Sequence, residues 1–186
     1  MANDQRLVTV TTTYLHLPER AAFRPAFSTD PELLVLEACA PGPEFYRFLY
    51  STVGRNYHWT DRLDWSDEQL VTYLARPEVT LLPLYVRGTP AGYIELDRAS
   101  DSEEAGTEVV YFGLFPAFHG RGLGKHLLST GVQRAFDDGA ARVWLHTCSL
   151  DGPHALANYR ARGFTPYGAE THQERIGPSA RQVVGL

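Results

Sequence analysis

The sequence predicts a mixed α/β fold in which helices flank a mostly antiparallel central sheet. Three observations carry this. Between residues 79 and 115, three runs rich in β-branched and aromatic residues follow one another across polar turns, as in an antiparallel meander. The third run enters a glycine-rich turn and then a helix-spaced apolar face of Leu123, Leu127, Leu128, Gly131, Ala135 and Phe136. Beyond it a strand, a short helix and a strand alternate, as in a sheet covered by helices.

The elements follow in order. Residues 7–17 are β-branched and read as a strand, Pro18, Pro25 and Pro31 punctuate a loop, and residues 33–38 read as a second strand. Pro43 suits the first turn of a helix carrying Phe45, Phe48, Leu49 and Val53, which Gly54 stops. An aromatic and charged loop spans residues 55–65. Ser66 with Gln69 then forms a capping box for a helix bearing Leu70, Tyr73 and Leu74 that ends before Pro77. The meander strands are residues 79–86, 91–97 and 108–115, and Pro83 marks the first as an edge or bulged strand. After the helix that stops at Asp138-Gly139 come a strand at 142–148, a helix at about 153–162 that Gly163 terminates, and closing strands at 164–170 and 181–185. Residues 1–186 read as one domain. Residues 1–78 shape an acceptor site, 79–172 form a ligand-binding core, and 173–186 add a C-terminal strand.

Composition narrows the class. A 44% hydrophobic and 21% charged share is that of an ordinary globular domain. A formal charge of −5 argues against nucleic acid as partner, since phosphate contacts need a basic face. No apolar run is long enough for a membrane span and no signal-peptide layout opens the chain, so a cytoplasmic location with no membrane partner is expected. Cys39 and Cys148 are expected to be buried small apolar residues.

The glycine turn is the most specific feature. A helix start exposes unpaired amides and the positive end of the helix dipole, and glycines admit a phosphate to that backbone. The spacing of Gly120, Gly122 and Gly124, with His126 after Lys125, fails both the nucleotide P-loop and the dinucleotide fingerprint. His119-Gly120-Arg121-Gly122-Leu123-Gly124 instead resembles the acyl-coenzyme A signature [QR]-x-x-G-x-[GA] of the GCN5-related N-acetyltransferases at every position but the first. Downstream, Gly152, Ala155, Tyr159 and Gly163-Phe164 are similar to the family's N-x-x-A-x-x-x-Y-x-x-x-G-F, with Gly152 in place of Asn. The resemblance covers residues 79–172 well and the N-terminal third loosely.

The resemblance implies acetyl-CoA as co-substrate, no metal, and direct transfer to a primary amine through a tetrahedral intermediate, in a sheet splayed at the acetyl-CoA site. It places the cofactor on Leu114, Phe115, His119, Gly120, Arg121, Gly122, Leu123, Gly124, Lys125, Ala155 and Tyr159. A backbone amide at Leu114 or Phe115 would meet the oxygen on which charge develops, and Tyr159 would protonate the departing thiolate. Glu108, eleven residues before His119, matches the spacing of the catalytic glutamate in the histone-acetyltransferase branch, and His146 is a rival base. Tyr57, Trp59, Asp61, Arg62, Asp64 and Trp65 combine flat apolar surfaces with carboxylates, a chemistry suited to an amine-bearing ligand; packing of these aromatics on the core is the competing reading. The acceptor, a small molecule or a protein amine, is left open, and homodimerisation is carried over from the family. Other readings are covalent transfer through Cys148, a non-amine acceptor, and a non-catalytic acyl-CoA sensor.

Overall fold

The structure is a computed structural model that describes residues 6–98 and 106–176. One seven-stranded sheet runs through them. Its strands are β1 (Arg6–Leu17), β2 (Leu33–Val35), β3 (Val79–Val86), β4 (Thr89–Asp97), β5 (Thr107–Leu114), β6 (Val143–Cys148) and β7 (Thr165–Ile176). The helices are α1 (Pro43–Gly54), α2 (Asp67–Leu74), α3 (Leu123–Asp137) and α4 (Ala155–Ala161). The expected mixed fold is the observed one: the order is β2-β3-β4-β5-β6-β1-β7, and the β5–β6 pair alone is parallel.

Local signals are realised where they were read. Pro43 opens α1, and Ser66 and Gln69 exchange both capping-box bonds at the start of α2. Pro83 does not lie on an edge strand. β3 is second in the sheet because the three-residue β2 covers it, and the bulge falls beside Pro83, between Leu84 and Tyr85. The Pro83 carbonyl accepts from the Leu36 amide on that covered side, where the short partner makes a missing amide inexpensive.

Two features depart further from expectation. β1 lies between β6 and β7, so the N-terminal strand completes the C-terminal half of the sheet. β7 continues past Glu170 to Ile176, paired along β1 as far as Arg6; the strand read at 181–185 lies outside the described residues. Cys39 is exposed and Cys148 half-buried, against the expectation that both would be buried.

The sheet separates two apolar layers. On one face α3 and α4 pack Leu123, Leu127, Leu128, Val132 and Tyr159 against Leu82, Ile94, Val109, Val143 and Leu145. On the other, α1 and α2 pack Tyr46, Leu49, Tyr50, Val53 and Leu70 against Leu81 and Tyr93. The turn after α4 is tightly locked. Gly163 has φ +98, and a Cβ there would stand 2.1 Å from the Ala22 carbonyl oxygen. Gly163→Ala is therefore expected to cost about 1–3 kcal/mol, since backbone rather than a flexible side chain must yield. A urea midpoint unchanged from wild type would refute this.

Candidate active site

The site begins where two strands part. β5 and β6 pair only at Thr107↔Val143 and Glu108↔Trp144, after which β5 keeps its ladder with β4 but, among the described residues, has no strand partner on its other edge. A bulge in β5 at Val110, between the pairs Glu95↔Tyr111 and Leu96↔Val109, adds local twist where the strands diverge. The splay expected at the ligand site is thus present.

Strand geometry decides which amides face the gap. The Phe115 amide donates to the Ala91 carbonyl at 2.8 Å, so it points at β4 and is not available to a ligand. This corrects one of the two expected amide donors. Successive strand residues send their amide and carbonyl to opposite edges, so Phe112 and Leu114 turn theirs into the gap. Phe112 was missed in the sequence, although its spacing of two from Leu114 was the available signal. His119, the irregular member of the glycine motif, lies with Nε2 3.0 Å from the Leu114 carbonyl oxygen. Its ring therefore anchors the end of β5 and does not simply extend into solvent.

The glycine turn closes on the same spot. Gly120 and Gly122 have φ +75 and +73, a left-handed backbone that glycine adopts without strain, and Gly122 is the N-cap of α3. Among the described residues, none beyond its two chain neighbours has an atom within 4 Å of where a Gly120 Cβ would stand. The cradle is bare backbone with Arg121 and Lys125 exposed beside it, which fits a pyrophosphate. Leu123 is 5% exposed, its side chain in the core and only its amide left to the turn. A Cβ on Gly124 would lie 3.8 Å from Leu114, Phe112 and Asn158, so the start of α3, the open edge of β5 and α4 meet there. Asn158 was not singled out in the sequence, though it precedes Tyr159.

Tyr159 is 7% exposed, its ring 6.1 Å from those of both Phe112 and Phe164. Burial, with the charge of Asp151 adding to it, holds its phenol above the ordinary tyrosine value, so it keeps its proton near neutrality. Ala155 packs partly buried on the same core.

The opposite face of the gap carries carboxylates and a histidine. Glu108 pairs with Asp97 and, beyond the bulge, Tyr111 pairs with Glu95, all on the α1/α2 side; His146 alternates with the core residue Leu145 and so shares that side. His146 Nδ1 lies 3.4 Å from Glu108 Oε1, with the carboxylate side chain 13% exposed and the imidazole 48%. The sequence offered these two as rivals; the fold makes them neighbours. Glu108 raises the imidazole's affinity for a proton, partial burial opposes it, and Asp151 and Asp61 add to the rise. Cys148, on the same strand face, has its thiol pushed up by burial and then by Asp151, which is the wrong direction for a nucleophile.

The aromatic loop divides in two. Asp61 accepts from the Tyr111 hydroxyl at 3.1 Å and is exposed on the His146 side. Tyr57 lies 3.5 Å from where a Gly152 Cβ would stand, in ordinary van der Waals contact with the position where the motif carries Asn. Trp59 packs on Tyr50 and Tyr111. Arg62 lies 3.8 Å over the Trp65 ring and 4.3 Å over Tyr73, with its guanidinium 3.9 Å from the buried Glu95. Trp59, Arg62 and Trp65 thus hold the loop to the sheet, while Asp61 and Tyr57 border the gap.

Residues 44–164 match the model of the acetyltransferase (GNAT) family. A mycothiol acetyltransferase from Segniliparus rotundus is 31% identical over 112 residues, 57% of this chain and 42% of that protein. A GCN5-related N-acetyltransferase from Kribbella flavida superposes with a TM-score of 0.64 at 19% identity, over 95% of this chain and 62% of that one. An aminoglycoside acetyltransferase from an uncultured soil metagenomic sample superposes at 0.57 with 17% identity, over 73% and 90%. The chain therefore spans less than half of its curated relative. Among the described residues no helix is long and apolar enough to cross a membrane.

Proposed function

The chain belongs to the GNAT acetyltransferase family, and from that premise we propose that it moves the acetyl group of acetyl-CoA directly onto a primary amine of a cationic acceptor. The observation that carries this is the open edge of β5, where the amides of Phe112 and Leu114 face a gap bounded by the glycine turn and by Tyr159. Bound there, the co-substrate supplies the activated acyl group. The residues of the chain do the rest.

The amides of Gly120 to Lys125, with Arg121 and Lys125, hold the pyrophosphate at the start of α3. The Phe112 or Leu114 amide donates to the carbonyl oxygen as charge develops on it, a fixed donor whose loss typically costs 10²–10³ in rate. Tyr159 delivers a proton to the sulfur. Asp61 and Asp151, whose charges reach His146, favour an acceptor carrying positive charge. No cofactor-derived acyl group needs to rest on Cys148.

Thiol release from acetyl-CoA, measured against a panel of mono- and polyamines, tests the reading. Amine-dependent turnover supports it; tight acetyl-CoA binding with no turnover across the panel would replace it with an acyl-CoA sensor. A narrower prediction concerns His119. Its contact with the Leu114 carbonyl fixes the strand end, and one neutral hydrogen bond contributes about 1 kcal/mol, so His119→Ala should weaken coenzyme A binding about fivefold by calorimetry. Unchanged affinity would show that the backbone cradle alone positions β5.

A further inference from the structure

We infer that His146 removes the proton from the acceptor's amine and that Glu108 is a positioning residue acting through its ring, an assignment that rests on the acetyl-transfer reading above. Three geometric facts lead there. First, the pair spans the crotch of the splay: Glu108 belongs to the last β5–β6 bridge, and His146 stands two residues beyond its bridge partner Trp144, where the strands have parted. Second, exposure is graded in the order a base and its orienter require. The Glu108 side chain is nearly closed to solvent at 13% exposed, and the His146 ring in front of it is 48% exposed. Of the two, His146 is the more accessible to an acceptor.

Third, the contact fixes the ring. Glu108 Oε1 lies on the Nδ1 side at 3.4 Å, which stabilises the tautomer with hydrogen on Nδ1 and leaves Nε2 as the nitrogen with a free lone pair. The groups facing His146 from surrounding elements are Glu108 on β5, Asp151 beyond β6, Asp61 in the loop between α1 and α2, and the Tyr14 ring on β1 at 6.2 Å. The three carboxylates all favour the protonated imidazole. They also draw an acceptor that carries positive charge elsewhere toward that nitrogen, where its neutral amine can attack.

The proton balance closes across the gap. The amine nitrogen forms its bond to the acetyl carbon and gives a proton to His146 Nε2; the carbon–sulfur bond breaks, and the thiolate takes its proton from Tyr159 on the other face. One proton is gained and one lost by the protein. The exposed ring of His146 releases its proton to solvent and Tyr159 recovers one, so no external oxidant or reductant enters.

The sign of the pH dependence follows. Glu108 raises the proton affinity of His146, so the acidic limb of kcat/KM should lie above the ordinary histidine value near 6.5. The isosteric Glu108→Gln should move that limb to lower pH and lower the plateau about tenfold. His146→Gln should abolish the limb and reduce activity about a hundredfold, with added imidazole restoring part of it. The His146 ring resonance, followed by NMR without substrate, should titrate at lower pH in Glu108→Gln than in wild type.

Four results would overturn the assignment. If the limb survives in His146→Gln but vanishes in Glu108→Gln, Glu108 itself is the base. If the ring titrates identically in both proteins, the pair does not exist. A shifted resonance in a wild-type protein that releases no thiol with any amine would end the acetyl-transfer reading and the base role together; normal turnover with an unmoved limb would end the base role alone.

Discussion

Tyr159→Phe should lower amine-dependent thiol release by about 10³-fold in kcat while leaving coenzyme A affinity within about twofold of wild type. The substitution removes one oxygen and keeps the ring, and the ring is what packs against Phe112 and Phe164. Stability is therefore expected to change by less than about 1 kcal/mol, so a lost rate would report chemistry and not unfolding. The magnitude sits within the 10²–10⁴-fold range of a positioned general acid. Its direction rests on protonation state: burial first and Asp151 second keep the phenol protonated far above neutrality, which is the state an acid needs.

A kinetic split makes this test specific. An interaction made only with the departing sulfur lowers kcat and kcat/KM together, whereas a packing role would raise KM or lower the melting midpoint. Acceptors of lower amine pKa should not rescue the variant, because the missing proton belongs to the thiolate side of the gap. A Tyr159→Phe enzyme with wild-type kcat would remove the residue from the chemistry and leave solvent as the proton donor.

What could be read from the sequence was local. Pro43 at the start of α1 and the Ser66/Gln69 box each depend on residues within one turn, and each is where the sequence put it. The pairing of β1 was not legible, because Thr12↔Cys148 and Thr12↔Glu170 join positions more than a hundred residues apart and alternation alone selects no partner. The outer half of β7 carries Thr171, His172, Gln173 and Glu174, polar on both faces, so no period-two apolar signal extended the strand. The site shows the same division. Gly120 to Lys125 announced an anion cradle, but the sequence could not tell that the Phe115 amide turns to Ala91, or that Glu108 and His146 meet. The first depends on the register of β5 against β4, the second on where β6 lies relative to β5. Burial was equally hidden at Glu95, a carboxylate between Ile94 and Leu96 whose complete enclosure comes from α1, α2 and the loop at 55–65.

That enclosure predicts the largest stability effect in the chain. Glu95 is 0% exposed; its Oε1 accepts from the Tyr73 hydroxyl at 2.7 Å and faces the Arg62 guanidinium at 3.9 Å, itself 14% exposed. Glu95→Ala should cost about 3–5 kcal/mol in urea unfolding, because it leaves the buried Tyr73 hydroxyl without its acceptor and opens a void between Arg62 and α2. Glu95→Gln should cost much less, since its amide oxygen still accepts from Tyr73. The two differ in pH behaviour as well as size. Burial lifts the Glu95 carboxyl above its ordinary value against the opposing pull of Tyr73 and Arg62, so the folded state binds its proton more tightly than the unfolded chain does. A group of that kind contributes stability that is fully present below its unfolded pKa, near 4.3, and is lost as pH rises through the raised folded value. The stability of wild type relative to Glu95→Gln should therefore fall as pH climbs from about 4 toward neutrality. A relative stability that instead grows over that interval would mean that Arg62 outweighs burial, making Glu95 a charged anchor for the loop that carries Asp61 to the mouth of the gap.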